Sequence, residues 1–144
     1  MIIERNLYLN RLIEHKNNGM VKIVTGVRRC GKSYLLNTLF YNHLKDSGVD
    51  DSHIIKIALD DYGNKQLLNP DNLYAYVKEK IADNESYYIL LDEIQMVPNF
   101  EGVVNGFMHI ANADIYVTGS NSKFLSSDII TEFRGRGDEI RVYP

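Results

Sequence analysis

The sequence predicts an α/β fold built on a parallel sheet, and three observations carry that prediction. Five short apolar runs alternate with segments whose apolar residues recur at helical spacing, the pattern of strands joined by right-handed helical crossovers. One of those runs, Tyr87-Tyr88-Ile89-Leu90-Leu91, is apolar at every position, as a strand covered by helices on both faces must be. Between the first run and its helix lies Gly26-Val27-Arg28-Arg29-Cys30-Gly31-Lys32-Ser33, a glycine loop in a strand–loop–helix setting.

Taken in order, residues 4–16 place Leu7, Leu9, Leu12 and Ile13 among polar residues, which predicts a short amphipathic helix. Asn17-Asn18-Gly19 ends it. Met20 to Thr25 is the first strand, and Leu35, Leu36, Leu39, Phe40 and Leu44 form the apolar face of the helix after the glycine loop. Residues 53–59 are the second strand and Asp60 to Asn69 a polar loop. Pro70 suits the first position of a helix capped by Asn69, with Leu73, Tyr76, Val77 and Ile81 on one face. Residues 87–91 are the third strand. After Pro98, the spacing of Phe100, Val103, Val104, Phe107 and Ile110 predicts a helix. Asp114 to Thr118 is the fourth strand, Asp128 to Phe133 a short helix, and Glu139 to Tyr143 the fifth strand.

The glycine loop fits G-x-x-x-x-G-K-[ST]. At ordinary composition its four fixed positions recur by chance in about one chain of this size in 200. Gly26 and Gly31 let the backbone approach a phosphate closely. A helix beginning near Lys32 directs free N–H groups and positive potential at an anion. Lys32 adds a full charge near the β- and γ-phosphates, and the Ser33 hydroxyl is placed for Mg²⁺. The predicted nucleotide-binding set is Gly26, Val27, Arg28, Arg29, Cys30, Gly31, Lys32, Ser33 and Tyr34.

In parallel sheets, ligands sit at the carboxyl ends of the strands. Asp92-Glu93 and Ser120-Asn121 also fall there, so the three polar clusters are expected to converge. Asp92 would support the metal opposite Ser33, and Glu93 would orient a water and take its proton. An Asn-Lys-x-Asp guanine signature is missing, since Asn64-Lys65-Gln66 is followed by Leu67; adenine is favoured. Arg134 and Arg136 precede the last strand, where one could stabilise phosphoryl charge in its own site or a neighbour's.

The remaining residues exclude more than they assign. The 144 residues carry a net charge of −3, so there is no global basic footprint for nucleic acid. A single cysteine fits a reducing compartment; no apolar run is long enough for a membrane span and no signal-peptide core opens the chain, which reads as cytoplasmic. The four histidines lack metal-ligand spacing. Tyr87, Tyr88 and Tyr116 fall in strands and are expected in the core.

Four segments together resemble a prokaryotic AAA-type ATPase family: Gly-Val-Arg-Arg-Cys-Gly-Lys-Ser, Leu-Leu-Asp-Glu-Ile-Gln, Val-Thr-Gly-Ser-Asn-Ser, and Phe-Arg-Gly-Arg before Arg-Val-Tyr-Pro. The resemblance implies a P-loop NTPase three-layer αβα sandwich whose five-stranded parallel sheet has the order 5-1-4-3-2. It implies ATP hydrolysis with Mg²⁺, with Lys32 and Ser33 on phosphate and metal, Asp92 supporting the metal and Glu93 activating water. The γ-phosphate sensor would fall on Ser120 or Asn121, with Thr118 less favoured. The arginine acting in trans would be Arg136, with Arg134 as competitor, and the active form would then be a homo-oligomer. Family members continue past the fifth strand, so residues 1–144 are expected to be one ATPase core taken from a longer protein. Nucleic-acid binding stays open for that longer protein, and a nucleotide-gated switch with little turnover is the alternative function.

Overall fold

The computed structural model describes residues 2–26, 31–120 and 137–141. Its elements are α1 (Ile2–Glu14), β1 (Val21–Thr25), α2 (residues 32–46), β2 (Ile54–Ala58), α3 (Pro70–Lys80), β3 (Tyr87–Asp92), α4 (Phe100–Met108), β4 (Ala113–Gly119) and β5 (Gly137–Arg141). Short 3₁₀ turns cover Asp51–His53, Tyr62–Leu68 and Ile94–Met96.

The five strands form one parallel sheet of order β2-β3-β4-β1-β5, the order 5-1-4-3-2 expected from the resemblance. Alternation along the strands divides the core in two. Tyr87, Ile89 and Leu91 face one side with Val21 and Ile23, packed under Leu73 and Val77 of α3 and Val103, Val104 and Phe107 of α4. Tyr88 and Leu90 face the other side with Val24 and Tyr116, against Leu12 of α1 and Leu36, Phe40 and Leu44 of α2. Helices therefore cover both faces, which is why all of β3 is buried. Tyr87, Tyr88 and Tyr116 are core residues, as expected.

Asn69 caps α3, its side chain accepting from the N–H groups of Asp71 and Asn72, with Pro70 in the first turn, where its missing N–H costs nothing. One residue departs from the predicted α3 face. Tyr76 is exposed, with Lys80 above its ring. Ile81 lies just past the helix end in extended backbone and still packs against the core, as does Tyr74, which stacks on Phe107 at 5.5 Å. The predicted polar loop at 60–69 contains the Tyr62–Leu68 turn, whose start is capped by the Asp61 carboxylate on Gly63 N–H.

α2 is not a uniform helix. It runs as α-helix over Lys32–Tyr34, as π-helix over Leu35–Phe40 and as α-helix again over Tyr41–Asp46. Such wide turns are rare and concentrate at functional sites. The fifth strand starts two residues earlier than the apolar pattern predicts, because Gly137 and Asp138 pair with Val21 and Lys22; residues 142–143 of the predicted strand lie outside the described residues. The Asp138 carboxylate bonds His15 and Asn18, and the Glu139 carboxylate accepts from the Thr25 hydroxyl at 2.8 Å. Polar residues here are strand residues with partners. The predicted helix at 128–133 lies outside the described residues.

Candidate functional site

The site sits at the carboxyl ends of β1, β3 and β4. β1 is buried throughout and delivers the chain to Gly26, at φ 150°. On the far side of the loop Gly31 adopts φ 96° and caps α2. Among the described residues nothing lies within 4 Å of where its Cβ would be, and the positive φ alone favours glycine there. Lys32 is 3 % exposed and begins the helix, where unpaired N–H groups and the helix dipole favour an anion.

Ser33 and Asp92 meet directly. The Ser33 hydroxyl lies 3.0 Å from Asp92 Oδ1 and 2.8 Å from Oδ2. Asp92 ends β3 and is nearly sealed from solvent. Burial pushes its carboxyl above the usual range, with donation from the Thr118 and Ser33 hydroxyls opposing that shift and the nearby Glu93 and Asp60 carboxylates reinforcing it. A hydroxyl and a carboxylate held in contact are the oxygen ligands that Mg²⁺ takes from a protein, so the donor set fits this metal.

Glu93 follows at φ 57°, a left-handed conformation that non-glycine residues seldom adopt. The turn is held by Thr118 of β4, whose Oγ1 donates to Asp92 Oδ1 at 2.6 Å and accepts from Glu93 N–H at 2.9 Å. The Glu93 carboxylate is engaged on both oxygens. Ser120 Oγ and Gln95 Nε2 donate to Oε1 at 2.9 and 2.6 Å, and Lys32 Nζ lies 3.9 Å from Oε2.

The structure therefore brings together Lys32, Ser33, Asp92, Glu93 and Ser120, as the convergence of polar strand ends predicted. Tyr34, one residue further along α2, is half exposed. Val27, Arg28, Arg29, Cys30, Asn121, Arg134 and Arg136 lie outside the described residues. Two residues do work that the sequence reading does not assign to them. Thr118 was the less favoured sensor, yet it joins Asp92 to Glu93; its signal was a hydroxyl on a buried strand. Gln95 closes the Leu-Leu-Asp-Glu-Ile-Gln segment that carries the resemblance, but nothing in the spacing marks it as a partner of Glu93.

A family model described as an AAA domain matches residues 18–144. The chain belongs to that family. Among curated relatives, this AAA chain is 33 % identical over 144 residues to an uncharacterised protein of Haemophilus influenzae, covering 99 % of the chain and 36 % of that protein. It is 31 % identical to the uncharacterised protein MJ1544 of Methanocaldococcus jannaschii, covering 99 % and 30 % respectively. The chain thus spans about a third of the length of these relatives. Its fold resembles a DNA polymerase III gamma subunit-related protein of Thermotoga maritima (TM-score 0.65, 12 % identity, 93 % of this chain and 44 % of that one). It also resembles DnaA of Aquifex aeolicus bound to AMPPCP (TM-score 0.58, 16 % identity, 93 % and 43 %). At such identities the likeness is one of fold. No helix among the described residues is long and apolar enough to cross a membrane.

Proposed function

We propose that this AAA domain binds ATP with Mg²⁺ and hydrolyses it to ADP and phosphate, driving conformational change in segments or partners outside residues 1–144. The observation that carries the reading is the placement of Glu93 beside Lys32 and next to the Ser33–Asp92 pair. Lys32 and the start of α2 would hold the β- and γ-phosphates, with Gly26 to Tyr34 around them. Ser33 and Asp92 would hold Mg²⁺, which when bound neutralises charge on the phosphate oxygens. Glu93 would orient a water and take its proton as the water oxygen bonds to the γ-phosphorus and the bond to the β-phosphate oxygen breaks, releasing ADP. Ser120, or Asn121 beside it, would sense the γ-phosphate. Arg136, or Arg134, would act on a neighbour's transferring phosphoryl group, which makes the working form a homo-oligomer.

A second reading has its own observation. Both oxygens of Glu93 are engaged by neighbouring side chains, which supports a nucleotide-gated switch that turns over rarely. Steady-state phosphate release from Mg-ATP, per chain and across protein concentration, separates the two, with Glu93→Gln as the blank. Turnover lost in Glu93→Gln while ATP binding persists supports hydrolysis. Turnover per chain that rises with concentration supports a shared site and makes Arg136 the first arginine to replace. No release above the blank leaves the switch.

The single cysteine and acidic net charge support a cytoplasmic protein whose AAA domain does not bind nucleic acid through bulk charge.

A further inference from the structure

Glu93 has two carboxylate oxygens in different company. Oε1 receives both the Gln95 amide, at 2.6 Å, and the Ser120 hydroxyl, at 2.9 Å. Oε2 receives neither and faces the Lys32 ammonium at 3.9 Å. A carboxylate oxygen loaded with two donors is the poorer acceptor of a further proton. The two donors also fix the plane of the carboxylate, since they approach one oxygen from different elements, the 3₁₀ turn Ile94–Met96 and the end of β4.

The orientation of the Gln95 amide follows from its surroundings. Reversed, its carbonyl would face the Glu93 carboxylate and repel it. As it stands, the amide donates to Glu93, and Gln95 Oε1 is buried with no hydrogen-bond partner among the described residues. Gln95 is two residues from Glu93, and the left-handed turn at Glu93 folds the chain so that the two side chains meet.

We propose that Gln95 is a positioning residue for Glu93: with Ser120 it occupies Oε1 and presents Oε2, the oxygen facing Lys32, to the attacking water. This inference rests on the hydrolysis reading above. Lys32 links the two: once it engages the phosphates, it leaves Oε2 to the water while Gln95 keeps the carboxylate in plane.

Gln95→Met keeps the side-chain volume and removes the amide. The expected result is a kcat lower by on the order of ten- to a hundredfold, with KM and the affinity for a non-hydrolysable ATP analogue unchanged to within about twofold. Gln95→Glu replaces a donor by a repelling carboxylate and is expected to lose at least as much; it carries the test if the Met variant fails to fold by thermal melting. A readout without nucleotide accompanies both. The Gln95 side-chain amide signal, identified by its loss in Gln95→Met, is expected to shift in Glu93→Ala. Wild-type kcat in either folded variant, a loss confined to KM, or an amide signal indifferent to Glu93→Ala overturns the assignment. Turnover that is sensitive to Glu93→Gln yet unaffected by the Gln95 variants removes Gln95 alone; turnover insensitive to Glu93→Gln removes the hydrolysis reading and this inference with it.

Discussion

The Thr118 hydroxyl joins the last residue of β3 to the residue that follows it, donating to Asp92 Oδ1 at 2.6 Å and accepting from the Glu93 N–H at 2.9 Å. One side chain thereby satisfies a buried carboxylate and a backbone donor in a left-handed turn. Thr118→Val keeps the shape and removes the hydroxyl, leaving the Glu93 N–H without that acceptor. Stability by urea denaturation should fall by about 1–3 kcal/mol, and turnover should fall more than ATP affinity. A Val variant with wild-type stability and turnover would show that Glu93 is held by other means.

Lys32 is buried at the start of α2 with Glu93 3.9 Å from its ammonium. Replacement by Ala removes the full charge that the phosphates would meet. ATP affinity, measured by calorimetry, should drop by roughly ten- to a hundredfold, the worth of a hydrogen bond to a charged group. Undiminished affinity would remove the phosphates from this loop under either reading of the function.

At the amino ends of the strands a second polar cluster is buried. Lys22 Nζ bonds Asp114 Oδ1 at 2.5 Å and Asn18 Oδ1 at 3.1 Å, and the Tyr116 hydroxyl donates to Asp114 Oδ2 at 2.5 Å. Burial lowers the Lys22 ammonium's pKa and Asp114 opposes that shift. Lys22→Met should cost roughly 3–5 kcal/mol, because it removes the buried ammonium partner of Asp114. Adding Asp114→Asn should restore a large part of the loss. Additive losses in the double variant would show that the two groups do not depend on each other.

His43 packs on Phe40 in α2. Burial holds its pKa below the ordinary histidine range, Lys16 adds to that shift and Asp46 opposes it. The folded chain therefore keeps His43 neutral where the unfolded chain binds a proton. Its contribution to stability is intact above the unfolded value, about 6.5, and declines as pH falls below that value towards the lowered folded one. Melting temperature should fall more steeply on acidification for the wild type than for His43→Phe. Parallel curves for the two would sink this assignment.

The sequence made the strands legible because a parallel sheet covered on both sides demands uninterrupted apolar runs, and Tyr87 to Leu91 supplies one. It made Ser33, Asp92, Glu93 and Ser120 legible as a site because strand ends converge. Polar residues that work inside the fold were harder to read. Lys22 is fully buried within β1, and Asp138 and Glu139 belong to β5 through partners more than a hundred residues away in the chain, so hydropathy alone started that strand two residues late. The π-helical stretch of α2 buries Leu36 and Phe40, and the left-handed turn at Glu93 is held by Thr118 from another strand; local propensity records neither. Gln95 became visible only when the turn at Glu93 was.

The strand order has a consequence for how the chain acquires its site. β2, β3 and β4 are neighbours in both sequence and sheet, with Ile55 beside Ile89 and Leu90 beside Tyr116, so their pairing closes short loops. β1, which carries the glycine loop, has no early partner: Ile23 pairs with Val117 on one side and Glu139 on the other. Closing such long loops is the slow part of folding a parallel sheet. A chain emerging from the ribosome amino end first therefore exposes its phosphate-loop strand before either flanking strand exists. Affinity for nucleotide should arise in a late step, when β4 and then β5 close around β1.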